Sequence, residues 1–204
     1  ARFGGSFWEL ENEDTNAQYY TSDFNSAEEM VNYGLALTQQ VEAEGAALLM
    51  NNNNALPLAA DAKVSTFSSS SVNLVYGGTG SGNIDASTAD TLRTALEKVG
   101  VTVNPTLWDF YTTGGTVATA SEVTAEVPWD VYTDEVKNSV AQYGDAAIVT
   151  LSRVGGEGAD LSYGEVNYLA LDENEKAMLQ NVAEMKKNGI VKKSSVLVHP
   201  ALAL

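Results

Sequence analysis

The residues best placed to do chemistry are Ser152-Arg153-Val154-Gly155-Gly156-Glu157-Gly158-Ala159-Asp160. They follow the apolar run Ala146-Ala147-Ile148-Val149-Thr150-Leu151, which predicts a buried strand rich in β-branched side chains. The glycines free the backbone to turn sharply, and Glu157 sits among them. In an open α/β sheet, ligands bind at the loops that leave the carboxyl ends of strands. A carboxyl displayed there can give or take a proton. A solvated glutamate in a glycine-rich turn is the commoner occupant of such a loop, so on the loop alone both readings stand. Glu165 is a second candidate acid a few residues further on.

The elements that must hold this loop alternate along the chain. Ser26 as N-cap, with Glu29 three residues later, predicts a helix running to about Met50. Met30, Tyr33, Leu37, Val41 and Leu48 recur along it at helical spacing, and Asn51 to Asn54 break it. A strand is predicted near Lys63 to Phe67, and a helix over Ser87 to Val99 that Gly100 stops. Val101 to Val103 reads as a second strand, ended by Asn104-Pro105. Residues 112–130, rich in Thr, Gly, Ala and Glu, read as a surface excursion. A third helix is expected over Val131 to Tyr143, closed by Gly144, ahead of the strand at 146–151. Asp172 and Glu175 form a capping box for a helix over 173–187, and Ser194 to Val198 completes the set as a fourth strand. Strands alternating with helices predict an α/β fold: a wound, mostly parallel sheet flanked by helices and joined by right-handed crossovers. Residues 1–25 carry Phe3, Phe7, Trp8, Tyr19, Tyr20 and Phe24 without a period, and are expected to form an irregular N-terminal arm. The expected division is therefore 1–25 and 26–204.

Composition narrows the chemistry. The chain has 204 residues, 44% of them hydrophobic, enough for a sizeable core. Its formal net charge of -16 repels phosphate backbones, so nucleic acid is not an expected partner. There is no cysteine, and His199 is the only histidine. Disulfides, thiolate metal sites and histidine metal clusters are thereby ruled out, and no metal is expected. Gly78-Thr79-Gly80-Ser81-Gly82 suggests a phosphate loop, but its spacing is G-x-G-x-G and no Lys-Ser or Lys-Thr follows. A flexible turn allowing close backbone approach is the better reading, and no cofactor is expected. No apolar run approaches the roughly 18 residues that cross a membrane. The composition suits the cytoplasm and a bacterial secreted or cell-surface protein equally.

Three segments then carry a family likeness. The first is Val41-Glu42-Ala43-Glu44-Gly45-Ala46-Ala47-Leu48-Leu49-Met50-Asn51, followed by Ala55-Leu56-Pro57-Leu58. The second is Tyr76-Gly77-Gly78-Thr79-Gly80-Ser81-Gly82. The third is Arg153 with Gly156-Glu157-Gly158-Ala159-Asp160, and Leu171-Asp172-Glu173-Asn174-Glu175-Lys176 beyond it. In this order they resemble the second domain of glycoside hydrolase family 3, the β-glucosidase and β-xylosidase family. Each segment is weakly specific alone; three in register over roughly residues 30 to 190 are strongly so.

The resemblance implies a (β/α)₈-type barrel joined to an α/β sandwich, with the active site between them. The barrel, absent from this chain, would supply an Asp nucleophile and most contacts to the sugar. The sandwich would supply the acid/base glutamate, which falls on Glu157, with Arg153 and Asp160 carried over as substrate-binding residues. Retaining hydrolysis needs two carboxyls about 5–5.5 Å apart, one attacking the anomeric carbon and one protonating the leaving oxygen. The implied partners are an oligosaccharide or β-glycoside substrate and the barrel domain. The alternative from another class is a non-catalytic carbohydrate-binding or assembly module with the same fold.

The chain departs from the family pattern at several places. Met50 stands where many members have Lys, Ser68 after Phe67 where many have Gly, and Leu161 where Arg often follows the motif's Asp. The run Val191 to Pro200 begins a family strand and stops, so the sandwich is expected to be incomplete at its C-terminus, with an open edge favouring a homo-oligomer. Trp8, Trp108 and Trp129 could stack on sugars, but core or interface packing is the stronger expectation. Lys186, Lys187, Lys192 and Lys193 read as a solvated helix end, and His199 as an ordinary strand-end residue.

Overall fold

The computed structural model describes residues 22–77, 85–113, 126–154 and 170–201. The chain divides into two compact units, Ala1–Asn51 and Asn52–Leu204. In the first, helix α1 (Ala27–Gly45) starts at Ser26, whose side chain accepts from the Glu29 N–H. The Glu29 carboxylate reaches past the cap to the Asn25 backbone N–H at 2.8 Å. The capping residues are those the sequence predicts, but the reciprocal bond falls one residue early. The helix also ends at Gly45, short of Met50.

The second unit is built on a four-stranded sheet: β1 (Lys63–Phe67), β2 (Thr102–Val103), β3 (Ala146–Val154) and β4 (Lys193–Ala201). Every pairing is parallel and the spatial order is β2-β1-β3-β4. The helices between them are α2 (Ser69–Val72), α3 (Leu92–Lys98), α4 (Pro105–Thr113), α5 (Asp134–Ser139) and α6 (Glu173–Lys187). This is the wound α/β sheet expected from the alternation of strand and helix signals.

The central strands β1 and β3 are buried on both faces of the sheet, with apolar side chains on each. Along β3, Ala147, Val149 and Leu151 enter one core with Phe67, Leu107, Tyr111, Met178 and Val182. Ala146 and Ile148 enter the other, with Val64, Val103 and Trp108, packed by Leu92 and Leu96. The two-residue period of a strand divides them, and continuous burial is what a central parallel strand requires. Trp108 is thus a core residue.

Three local findings correct the sequence reading. The residues after Asn104-Pro105 form α4: Pro105 takes the first helical position, and Asn104 Oδ1 accepts the Leu107 N–H at 3.2 Å. Proline there loses no helical hydrogen bond and arrives with its φ preset, so the dipeptide starts a helix besides ending a strand. The helix expected over Ser87 to Val99 begins only at Leu92, because the Thr91 side chain caps it by accepting from Thr94 N. The helix expected over Val131 to Tyr143 is shorter: Thr133 caps α5, and Val140–Tyr143 tightens into a 3-10 turn. By contrast α6 has its full capping box, with Asp172 and Glu175 each holding the other's backbone N–H.

The amino end of the sheet is closed by backbone contact. Asp145 accepts the Lys63 N–H at 2.9 Å and the Lys192 ammonium at 2.7 Å. Both bonds hold its carboxyl below the usual range, the Lys192 hydrogen bond most. Next to it, a Cβ on Gly144 would overlap the Ile190 carbonyl oxygen. Replacing Gly144 by Ala should therefore cost about 1–3 kcal/mol, the usual cost of overpacking an interior that cannot give way. Urea unfolding of Gly144→Ala against Gly34→Ala, whose added methyl meets nothing within 4 Å, measures that cost; equal midpoints would refute it.

Candidate functional site

The strand order reverses between β1 and β3, since the chain leaves β1 for β2 on one side and continues from β3 to β4 on the other. At such a switch point the two crossovers diverge and leave a crevice at the carboxyl ends of the strands. Ser68 follows β1 there, and Ser152, Arg153 and Val154 end β3. Polar side chains gather at these ends, although the sequence around them is largely apolar.

Ser68 turns the chain from β1 into α2 with φ at 91°, in the region that favours glycine. Four bonds hold it. Its N–H donates to the Tyr111 hydroxyl at 2.8 Å, and its Oγ accepts the Ser70 N–H at 3.0 Å. Its carbonyl takes both the Ser71 hydroxyl at 2.7 Å and the Ser71 N–H at 2.9 Å. Tyr111 and Tyr132 share a short hydroxyl–hydroxyl bond beneath it. Burial raises both phenols, Tyr111 most strongly.

Glu126 is a functional candidate that the sequence reading missed, because it lies at the end of a polar stretch that reads as surface. It is 5% exposed. Its carboxylate accepts the Ser69 N–H at 3.0 Å and the Val127 N–H at 2.9 Å. The Asn174 amide donates to its carbonyl at 3.0 Å, tying this segment to α6. Desolvation raises its carboxyl above the ordinary glutamate range, Glu175 adds a smaller push, and its contacts with Val127, Ser68 and Ser69 oppose both.

The second carboxylate is Glu175, in the first turn of α6, and it faces Arg153. The guanidinium meets it with two bonds, Nη1 to Oε1 at 2.8 Å and Nη2 to Oε2 at 2.8 Å. The remaining Nη hydrogens go to the Ser152 carbonyl and the Ala170 carbonyl, each at 2.8 Å. Side-chain exposures are 10% for Arg153 and 6% for Glu175, so the pair is scarcely screened. Both terminal nitrogens of Arg153 are thus fully occupied by protein groups. Arg153 is also not a loop residue, as the sequence suggested: β3 continues through it to Val154, paired with β4 up to Ala201. The apolar run that marks the strand ends at Leu151, but hydrogen bonding to β4 does not.

Glu157, Asp160, Glu165 and the glycine loop after Gly77 lie outside the described residues, as does Trp8. Trp129 packs its ring on Tyr132, with centroids 4.3 Å apart, and carries the Lys137 ammonium 5.7 Å above it. The lysines near the C-terminus bond locally, Lys187 to Glu184, Lys186 to Ser194 and Lys193 to the Asn54 carbonyl. His199 sits near the end of β4, in register with Ser152. Among the described residues, no group of His, Asp and Glu could hold a metal ion, and no helix is long and apolar enough to cross a membrane.

Comparison with known proteins follows the same outline. The model of the glycosyl hydrolase family 3 C-terminal domain matches residues 46–199. β-Glucosidase 3B from Thermotoga neapolitana, solved with α-D-glucose, superposes with a TM-score of 0.70 at 20% identity. That match covers 86% of this chain and 25% of that one. A β-glucosidase from Paenibacillus barengoltzii matches with a TM-score of 0.65 at 27% identity, over 81% of this chain and 18% of its own. The chain therefore spans a quarter or less of the solved enzymes it resembles. No curated protein matches it in sequence.

The buried carboxyl of Glu126 has a pH signature. With its folded-state pKa raised, its contribution to stability is full below the unfolded pKa and is lost as pH rises through the folded pKa. The stability of the native chain relative to Glu126→Gln should fall as pH climbs above about 4, the ordinary glutamate range. An amide facing the Val127 or Ser69 N–H adds a constant offset, so the slope is the diagnostic. Urea unfolding across this range measures it, and a flat difference would place the carboxyl in water.

Proposed function

The chain belongs to the C-terminal domain family of glycosyl hydrolase family 3, and we propose that it is the second domain of a retaining β-glycosidase. In this reading it presents Glu157 as acid/base to an active site completed by a barrel domain outside the chain. The observation that carries the proposal is the placement of β3. The central strand runs out at the switch point of the sheet, and the next residues are Gly155-Gly156-Glu157-Gly158. Open α/β folds receive ligands at the loops that leave the sheet there, which supports Glu157 as the displayed acid. The solved relatives of this fold are described as β-glucosidases, one of them bound to glucose.

The chemistry follows from one carboxyl per domain. Glu157 protonates the glycosidic oxygen as the bond to the anomeric carbon breaks and the barrel's carboxylate attacks from the opposite face. It then takes a proton from water, which hydrolyses the glycosyl-enzyme ester and restores both groups. Closure over the sugar desolvates Glu157, lifting its pKa toward that of a useful acid. Asp160, three residues on, is proposed to accept sugar hydroxyls. The substrate is a terminal β-linked glucose or a related sugar.

Two outcomes test this. The chain alone should turn over no aryl β-glucoside or β-xyloside, since it offers one carboxyl where covalent catalysis needs two. Activity of the purified chain that Glu157→Gln abolishes would show that a second acid completes the site within it. In the enzyme that carries this domain, Glu157→Gly should slow substrates with poor leaving groups by about 10²- to 10⁴-fold. Activated aryl glycosides should keep their first step, and azide should restore turnover by attacking the intermediate. An unchanged dependence on leaving group, with no azide rescue, would move the role to Glu165 or outside the chain.

A further inference from the structure

Arg153 stands at the end of β3, and its guanidinium reaches across to two points beyond the next segment. One is the carbonyl of Ala170, 17 residues away; the other is the carboxylate of Glu175, 22 residues away. Glu175 in turn accepts the Asp172 N–H at 2.9 Å through the same Oε2 that takes Nη2. One carboxylate thus caps α6 and receives the guanidinium fork. The result is a knot of three elements: the carboxyl end of a central strand, the residue that precedes a helix, and that helix's first turn. A bidentate guanidinium–carboxylate pair fixes both distance and orientation, and burial keeps water and salt from loosening it.

We propose that Arg153 and Glu175 are positioning residues for the acid/base step, acting by pinning together the two ends of the segment 155–169 that carries Glu157. The proposal rests on the reading of Glu157 given above. Joining the ends removes much of the chain entropy that a connection of this length would otherwise keep. Glu157 follows the end of β3 by three residues, so fixing that end limits how far it can move from the sheet. Every Nη hydrogen of Arg153 goes to a protein group and its Nε is buried, so the guanidinium shows a sugar hydroxyl no exposed donor and its effect on turnover passes through the segment.

The test uses the double variant Arg153→Met/Glu175→Gln. It leaves no buried charge unpaired, and the Gln side-chain oxygen still accepts the Asp172 N–H, so the fold is spared the penalty of a broken pair. Two readouts are taken. Hydrogen exchange of the chain follows amides 155–170; it should accelerate by about tenfold or more there and stay unchanged in β1 and β3. Steady-state kinetics of the enzyme that carries the domain should show kcat lowered by about 10- to 10²-fold for poor leaving groups, the cost of misplacing a reacting group by about an ångström. KM, and the first step with activated aryl glycosides, should hold. Arg153→Lys should not rescue, because one ammonium cannot serve both carboxylate oxygens and the Ala170 carbonyl.

Unchanged exchange in 155–170 would overturn the clamp. A raised KM with kcat and leaving-group dependence intact would overturn it in favour of a sugar-binding Arg153. Glu157→Gly, run alongside, separates the two claims. If that variant leaves the leaving-group dependence unchanged, the acid/base reading fails, while the exchange experiment still decides whether Arg153 and Glu175 hold the segment's ends.

Discussion

Among the described residues, Glu175 and Glu126 are buried carboxylates that share the carboxyl end of this sheet, and they are held differently. Glu175 holds Arg153 by a two-bond fork, while Glu126 accepts backbone N–H groups, with no lysine or arginine among its described hydrogen-bond partners. Taking a carboxylate out of water costs several kcal/mol unless charge or hydrogen bonds replace the solvent. The surrounding structure is arranged around meeting that cost twice. β3 must extend far enough to deliver Arg153, α6 must start where Glu175 faces back toward the strand, and Ser68 must turn so that α2 offers the Ser69 N–H to Glu126. Tyr111 secures that turn from α4, whose other residues build the core. The polar end of the sheet and its apolar body are therefore fixed by the same helices.

Much of the fold was legible because its signals are local. The strand over Lys63 to Phe67 and the helix over 173–187 fall where patterning and the capping box put them. What was not legible depends on partners distant in sequence. Ser152 and Arg153 lack the apolar character of a strand, and β3 runs on through them to Val154 because β4 pairs with them. Glu126 looks like surface until α2 and α6 close on it. The helix from Pro105 was readable, since Asn-Pro is a helix start as well as a strand stop, and only one of its two meanings was taken.

The site divides along the same line. Glycine spacing marks the segment of Glu157 in the sequence, whereas Arg153 and Glu175 are joined only by folding. Ser68 illustrates how a departure from the family pattern is absorbed. A position with φ at 91° suits glycine, and serine holds it by bonding Tyr111, Ser70 and Ser71 at once. The strain is met by a network that glycine, lacking a hydroxyl, could not complete.

The last strand has a colloidal consequence. Within the described residues, β4 pairs on one side only, and Val196 and Val198 on one face and Leu197 on the other are exposed. A parallel edge with aliphatic side chains on both faces is a template for adding another strand. Opposing that is the formal net charge of -16 on every copy. Like charge keeps such molecules apart over roughly the Debye length, about 10 Å at 0.1 M salt and about 3 Å at 1 M. That acidity is thus the long-range barrier between one edge and the next, and its reach is set by the ionic strength of the medium.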